Sequence, residues 1–503
     1  WSSDVCSSDL INEDVDLSFI KTEKERNKFH KFNDEAEKIL NQMEKCKVWT
    51  DILQVMQNFT KFIKNNKNFP VVPAKQTFMR RMAQALDPQI PSGVHSQVLE
   101  LFVLLFQRIG NERISEDIWC FTTGLFPLIR SGATDIRIKT LDIVKTYLLP
   151  IVRNLIGIQR AFIISVVVGM EENSSGIKDK TVAILDALKL GNESLFWETC
   201  WDIMRSNALS RKPLLVYMTM RLSTPLEPNQ VPTPELLLYA IINTFTDEKP
   251  LVLRDMLDIV CTRIRLDSEL LSEIQFTHVI ERMLLLLLKR DSGLTRRVHF
   301  YLLGLDSKSQ EVDKEVTVTY YNTYAKSKLE VAIGSLVEYY RKEDVVKILT
   351  IFEELLGKQT VGEQIINVII ECSLELLQDS HTKSKRVEVE KIVEFMSNIN
   401  VEILCDTIKD MMNDAEKEYG IKRTISLITS YQGDEEQLTK MNSFHSELLM
   451  ITLDKVETLL QRKHSELEPI EDCIDLIDYI MKDEYKPSED RDIEVLKSMI
   501  RAD

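Results

Sequence analysis

Residues 280–304, IERMLLLLLKRDSGLTRRVHFYLLG, contain two apolar helical patterns separated by a break. The first pattern, from about Phe276 to Arg290, repeats large apolar residues at helical spacing. Asp291-Ser292-Gly293 interrupts it, and the side chain of Asp291 or Ser292 can accept backbone N–H bonds at the start of the next helix. The second helix is expected to stop at Gly304. The stretch therefore predicts two consecutive helices joined by a tight turn.

The five leucines in this stretch are too few to cross a membrane. Arg282 and Lys289-Arg290 bracket them, whereas a bilayer span needs roughly 20 consecutive apolar residues. The other long apolar run, Ala161 to Met170, has only ten residues. Both runs therefore predict helices buried in the protein.

Glycine and proline are rare along the whole chain of 503 residues. The 15 glycines and 14 prolines are about half the usual share, which indicates a mostly helical protein. The length is too great for a single compact core. Helical patterns of similar length, joined by short turns, recur from end to end and are typical of an all-α, HEAT/armadillo-like α-solenoid of stacked helical hairpins. The repeat period is loose, and the sequence alone does not align the repeats residue by residue.

The chain divides into three parts by composition. Residues 1–33 are expected to be an artefactual or disordered lead-in, since the first ten resemble translated sequencing adaptor and the rest are mostly polar. Residues 34–304 form a helical domain that is interrupted most clearly by the proline-rich segment Leu226–Pro234. Residues 305–503 continue the helical array and end in an acidic region, because residues 401–503 hold 25 Asp and Glu against 13 Lys and Arg.

Patterns that would indicate an enzyme do not occur in the sequence. Glycine-rich phosphate loops, HExxH, GxSxG and paired Cys/His metal spacings are missing. The eight cysteines are scattered and are expected to be small buried residues in a reducing compartment. His95, beside a turn, and His299, beside two arginines, are predicted to be hydrogen-bonded structural residues. We therefore predict no catalytic, cofactor-binding or metal-binding residue, and the pI near 5.2 disfavours nucleic acid as a partner.

Lys289, Arg290, Arg296 and Arg297, named the basic corner below, are the one unusual charge cluster. In a chain of net charge −16, these four cations could bind an anionic lipid head group or an acidic segment of a partner. Alternatively, they could form salt bridges between helices or contacts with a helix C-terminus. The sequence leaves both interpretations open.

The corner resembles a segment of the Dopey family, whose N-terminal domain contains a leucine-rich helix followed by Arg-Arg-Asp-x-x-Leu-x-Arg-Arg and Leu-Leu-Gly. Further segments resemble the same domain in the same order. They are MAQALDPQIPSGVH at 82–95, GLFPL at 124–128, YLLPI at 147–151, and residues 159–172 and 254–260. The resemblance covers about residues 34–304. Dopey proteins are much longer, so the chain is similar to an N-terminal fragment of one.

The resemblance implies a non-enzymatic scaffold in membrane and protein traffic. Dopey proteins are cytoplasmic and bind peripherally to membranes of the Golgi apparatus, the trans-Golgi network and endosomes. Their partners are a large HEAT scaffold similar to Arf exchange factors and a phospholipid flippase of the P4-type ATPase class. Without the resemblance, the helical array would fit two other classes equally well: a karyopherin-like transport receptor, or a regulatory scaffold subunit of a soluble enzyme.

Overall fold

The computed structural model describes most of the chain, and its described residues are 22–152, 156–172, 175–305, 314–357, 359–383, 385–413, 420–428, 430, 444–445, 448–453, 455–456 and 467–484. Regular structure in these residues is helical, and none of them lies in a β-strand. The predicted all-α class is therefore confirmed. None of the helices in the described part of the chain has the length and hydropathy of a membrane span.

Two compact units divide the chain. The first comprises residues 1–222 and 227–240, and the second comprises residues 223–226 and 241–503. The division falls at the proline-rich segment that interrupts the sequence pattern. Residue 304, where the resemblance placed the end of a domain, lies inside the second unit.

The first unit contains helices α1 to α11. Their bounds are α1 Glu23–Asn41, α2 Trp49–Asn65, α3 Lys75–Ala85, α4 Ser92–Glu116, α5 Ile118–Ser131, α6 Thr134–Ile143, α7 Leu149–Val152, α8 Ile156–Val167, α9 Ser175–Lys189, α10 Glu193–Ser206 and α11 Ala208–Arg221. Helix α12, Pro234–Phe245, begins in this unit and ends in the second.

The second unit continues with helices of similar length. Their bounds are α13 Pro250–Arg263, α14 Glu273–Leu287, α15 Ser292–Leu302, α16 Lys314–Tyr320, α17 Lys326–Glu343, α18 Val345–Leu356, α19 Gln359–Thr382, α20 Arg386–Ser397, α21 Val401–Asn413, α22 Gly420–Ile428 and α23 Leu467–Glu484.

Nine helices of the first unit form two layers, and the helices of each layer pack on one another in chain order. One layer contains α1, α3, α5, α8 and α10, and the other contains α2, α4, α6 and α9. The helices of the second layer begin at Trp49, Ser92, Thr134 and Ser175, a spacing of roughly 40 residues that matches HEAT repeats. Packing thus supplies the repeat register that the sequence leaves open, and the predicted solenoid is confirmed.

Helix α1 corrects the expectation for residues 1–33. Thr22 caps this helix through the backbone N–H of Glu25, and the helix includes residues 23–33. Phe32 is buried in it and stacks on Phe69, with 4.8 Å between the ring centroids. The prediction of a disordered lead-in is therefore wrong for residues 23–33, because a partner far along the chain stabilises a polar helix. Residues 1–21 lie outside the described residues.

Candidate functional site: the basic corner

A tight turn between α14 and α15 positions the basic corner. Helix α14 ends at Leu287, and Arg290 adopts a left-handed conformation with φ +50°. Asp291 is the N-cap of α15, and its Oδ1 accepts hydrogen bonds from the N–H groups of Gly293 at 2.9 Å and Leu294 at 3.0 Å. The predicted break and one of its two predicted caps are thus observed. The turn thus places Lys289 and Arg290 before the cap, and Arg296 and Arg297 follow within α15.

Arg297 points inward and forms an ion pair with Asp258 on α13. Its Nε and Nη2 donate to the two carboxylate oxygens of Asp258 at 2.7 and 3.0 Å, and Nη1 donates to the carbonyl of Gly293 at 3.0 Å. Only 16% of the Arg297 side chain is exposed. The hydrogen bonds to Asp258 raise the pKa of Arg297 above its ordinary value. For this residue, the interpretation as a salt bridge between helices is correct.

A second ion pair of opposite polarity lies beside the first. Arg254, one turn before Asp258 on α13, donates from Nη2 to Oδ2 of Asp291 at 2.7 Å. The hydrogen bond from Arg254, together with those from two backbone N–H groups, lowers the pKa of Asp291. Helix α13 thus carries the cation Arg254 followed by the anion Asp258, and their partners are the anion Asp291 and the cation Arg297. We call Arg254, Asp258, Asp291 and Arg297 the inner clamp.

The other three cations of the corner lie at the surface. Lys289, Arg290 and Arg296 are exposed, and we call them the outer patch. Arg290 has a long ion pair of 3.7 Å with Glu353, which is itself exposed, and such pairs add little stability. The guanidinium of Arg296 lies 5.6 Å from the ring centre of Phe300. Within the described ranges, Lys289 has no ion pair. The structure therefore leaves three of the four predicted contact residues available to an anion.

Helix α18 supports the corner from another side. Thr295 donates from Oγ1 to Oε2 of Glu354 at 2.9 Å, and Nε2 of His299 lies 3.2 Å from the carbonyl oxygen of the same residue. His95 is likewise buried, with Nε2 2.9 Å from the carbonyl oxygen of Asp87. Both histidines singled out in the sequence are thus buried and hydrogen-bonded. Among the residues that the structure describes, no group of three His, Cys, Asp or Glu side chains could hold a metal ion.

Sequence reasoning missed the two partners on α13. Arg254 and Asp258 are four residues apart, and Asp258 precedes Arg297 by 39 residues. That separation is close to the repeat period of roughly 40 residues. An aligned repeat would have placed the two helices side by side and indicated the pairing of opposite charges.

Comparison with known families matches the same region. A family model described as Dopey, N-terminal, covers residues 26–307, which is more than half of the chain. The chain belongs to the Dopey family. The match begins a few residues before the resemblance found in the sequence and ends just after it, so the recognition is confirmed.

Individual Dopey relatives are distant in sequence and much longer. Protein DOP1B of Xenopus laevis is 26% identical over 303 residues, which is 58% of this chain and 13% of the frog protein. Protein DOP1B of Mus musculus is 24% identical over 377 residues, 68% of this chain and 16% of the mouse protein. Protein DOP1 of Saccharomyces cerevisiae is 21% identical over 501 residues, 84% of this chain and 29% of the yeast protein. The chain spans less than a third of each.

The segments that resemble the Dopey domain bring helices into close contact. A Cβ added to Gly124 would lie 2.7 Å from Cδ1 of Leu86, so α5 packs closely on the end of α3. A Cβ added to Gly169 would overlap the side-chain hydroxyl of Thr181 on α9. These two glycines allow backbones to approach, which is a structural role.

Proposed function

We propose that this Dopey-family chain is a non-enzymatic scaffold of Golgi and endosomal traffic. In this proposal it works in the cytoplasm, peripherally on membranes of the Golgi apparatus, the trans-Golgi network and endosomes. It holds a large HEAT scaffold similar to Arf exchange factors and a P4-type flippase. The family match over residues 26–307 is the observation that carries the proposal.

The architecture fits such a role physically. Stacked helical hairpins contact mainly their neighbours and expose long surfaces, so several partners can bind to one chain at once. The large apolar side chains are mostly buried between the helices, which leaves the polar outer faces to determine which partner binds. A scaffold of this kind needs positions where surface charge is not already neutralised.

The outer patch is the place where we propose an anionic contact. Lys289 and Arg290 are exposed in the turn, Arg296 is exposed in the following helix α15, and the ion pair of Arg290 is long. Such cations can bind an acidic protein segment or a lipid head group. We assign the contact to an acidic segment of one of the protein partners, and a lipid contact is an outcome that the experiment below distinguishes. Arg297 is not part of this contact, because Asp258 already binds it.

The test is affinity capture of partners by the purified chain, followed by mass spectrometry. The patch variant carries Lys289→Glu, Arg290→Glu and Arg296→Glu. The matched control carries Lys342→Glu, Lys347→Glu and Arg386→Glu, three exposed cations of the same unit with the same change in net charge. Thermal unfolding of both variants shows whether they remain folded.

Recovery of the flippase and the large HEAT scaffold by the wild type and the control, with at least tenfold loss in the patch variant, is the expected result. Recovery of a nuclear transport GTPase or a phosphatase catalytic subunit instead would contradict the traffic proposal, and so would recovery of no partner. Equal recovery by the wild type and the patch variant would exclude the outer patch. Loss of binding to phosphatidylserine vesicles, with protein capture unchanged, would assign the patch to lipid.

A further inference from the structure

The turn between α1 and α2 exposes two large apolar side chains next to each other. Val48 is 53% exposed and Trp49 is 46% exposed. In the described part of the chain they are the one pair of sequence neighbours among the exposed large apolar residues. Single exposed apolar residues are ordinary on protein surfaces, whereas adjacent ones form a patch that suits a partner. We call residues 45–49 the tryptophan turn.

The backbone of this turn is fixed by hydrogen bonds at both ends. The N–H of Cys46 donates to the carbonyl of Met43 at 3.2 Å, and the Met43 side chain is buried. The N–H of Lys47 donates to Oδ2 of Asp51 at 3.3 Å, and the N–H of Asp51 donates to the carbonyl of Val48 at 3.1 Å. Val48 and Trp49 are therefore presented on a fixed backbone, which lowers the entropy lost when they bind.

Cations dominate the free charge of the tryptophan turn. Lys45 and Lys47 are exposed on either side of Cys46. The neighbouring carboxylate of Glu44 forms an ion pair with the buried guanidinium of Arg81, and the carboxylate of Asp51 accepts the backbone N–H of Lys47. The charge of Glu44 is thus paired with that of Arg81, and the carboxylate of Asp51 binds the backbone of the turn, whereas the two lysines face solvent.

We infer that the tryptophan turn binds an anionic membrane surface, with Val48 and Trp49 inserted among the lipid head groups and Lys45 and Lys47 in contact with lipid phosphates. Tryptophan favours the membrane interface because its ring is apolar and its N–H is polar. Each lysine near an anionic surface strengthens binding about fivefold. A protein groove is the weaker fit, since lysine is depleted in protein interfaces.

This inference refines the peripheral membrane association contained in the proposed function, at a place other than the basic corner. It needs neither of the proposed protein partners, and purified protein with lipid vesicles is enough to test it. Failure of the capture experiment would leave a vesicle result intact, and failure of vesicle binding would leave the protein contacts intact.

The experiment measures cosedimentation of the chain with phosphatidylcholine vesicles, with and without phosphatidylserine. One variant carries Val48→Ser and Trp49→Ser, and a second carries Lys45→Glu and Lys47→Glu. The matched control is Leu190→Ser, which removes a side chain of the same unit that is 81% exposed. We expect phosphatidylserine-dependent binding that falls at least tenfold in either variant, since apolar burial and lysine charge each contribute, and that is unchanged in the control.

Brominated lipids locate the contact. They quench tryptophan fluorescence at close range. Fluorescence of the wild type should therefore be quenched by these vesicles more than fluorescence of a Trp49→Phe variant. The other four tryptophans, Trp1, Trp119, Trp197 and Trp201, give a background that both proteins share. Equal vesicle binding by all variants, or no quenching difference at Trp49, would overturn the inference. If the wild type forms a dimer and does not bind vesicles, and the Val48→Ser/Trp49→Ser variant is monomeric, the turn binds a second copy of the chain and the inference is overturned.

Discussion

Arg296 and Arg297 are neighbours in sequence, but Arg296 belongs to the exposed outer patch and Arg297 to the inner clamp. Arg297 is bound on two sides by Asp258 and by the Gly293 carbonyl, whereas Arg296 is exposed above the ring of Phe300. Successive residues of a helix point about 100° apart, since a turn takes roughly 3.6 residues. One arginine therefore faces α13 and the other faces solvent. A run of cations in a sequence does not say how many of them can meet a partner.

The same contrast separates the whole inner clamp from the outer patch. The clamp pairs two acids with two bases across α13 and α15, so its net charge is zero and its effect is on stability. The patch has three exposed cations and contributes little to the fold. Substitutions in the clamp should therefore change unfolding, and substitutions in the patch should change binding.

The largest expected effect is that of Arg297→Ala. Hydrogen bonds to charged groups contribute about 1.5–3 kcal/mol each in net terms, and Asp258 would lose its partner, so we expect a loss of about 2 kcal/mol in the free energy of unfolding. Arg296→Ala is the matched control and should stay within about 0.5 kcal/mol of the wild type. Urea denaturation followed by circular dichroism measures both. Similar losses in the free energy of unfolding for Arg297→Ala and Arg296→Ala would contradict the distinction between the inner clamp and the outer patch.

A double-mutant cycle sharpens the assignment of the pair. Asp258→Ala combined with Arg297→Ala should be less destabilised than the sum of the single variants, with a coupling energy on the order of 1 kcal/mol. The cycle of Asp258 with Arg296 serves as the control, because these side chains do not pair. A coupling near zero for the first cycle would show that Arg297 acts through packing alone.

Acid should remove a smaller part of the stability at Asp291. Its pKa is lowered in the folded protein, first by the hydrogen bond from Arg254, so its contribution is present above the ordinary aspartate pKa of about 3.9 and is lost as pH falls through the folded value. Asp291→Asn keeps a capping side chain and loses the charge. The difference in melting temperature between wild type and variant should be constant near neutral pH and vanish in acid.

A difference in melting temperature between the wild type and Asp291→Asn that persists below the folded pKa of Asp291 would contradict the role of the Asp291 charge. Arg254→Gln is the companion variant, because it removes the charge on the other side of the pair. The difference in melting temperature between the wild type and Arg254→Gln should likewise be constant near neutral pH and vanish in acid.

The smallest effect is expected at Arg290. Its φ of +50° is costly for a residue other than glycine, by roughly 1 kcal/mol. A glycine would remove this cost, but its greater freedom in the unfolded chain would destabilise the folded state by about 0.4–1 kcal/mol. Arg290→Gly should therefore change stability little, while Arg290→Ala keeps the backbone cost and should be the less stable of the two. Thermal unfolding compares them, and the opposite order would contradict the backbone argument. Partner capture should fall in both variants, because both lose the cation.

Local signals allowed the helices and the turn of the corner to be predicted from the sequence. Asp291 caps α15 because its carboxylate reaches N–H groups two and three residues ahead, and the apolar spacing from Val279 to Leu287 indicates a buried helix face. These signals act over a few residues, so they are visible in one sequence. The all-α class, the solenoid and the family followed from them.

Tertiary structure decided everything that depends on a partner far along the chain. Asp258 lies 39 residues before Arg297, and Phe69 lies more than thirty residues after Phe32, which belongs to the segment expected to be disordered. The sequence contains these residues without saying which of them meet. Because ion pairs and aromatic contacts need distances of a few ångströms, only the packing of helices about one repeat apart determines which charges are neutralised and which remain at the surface.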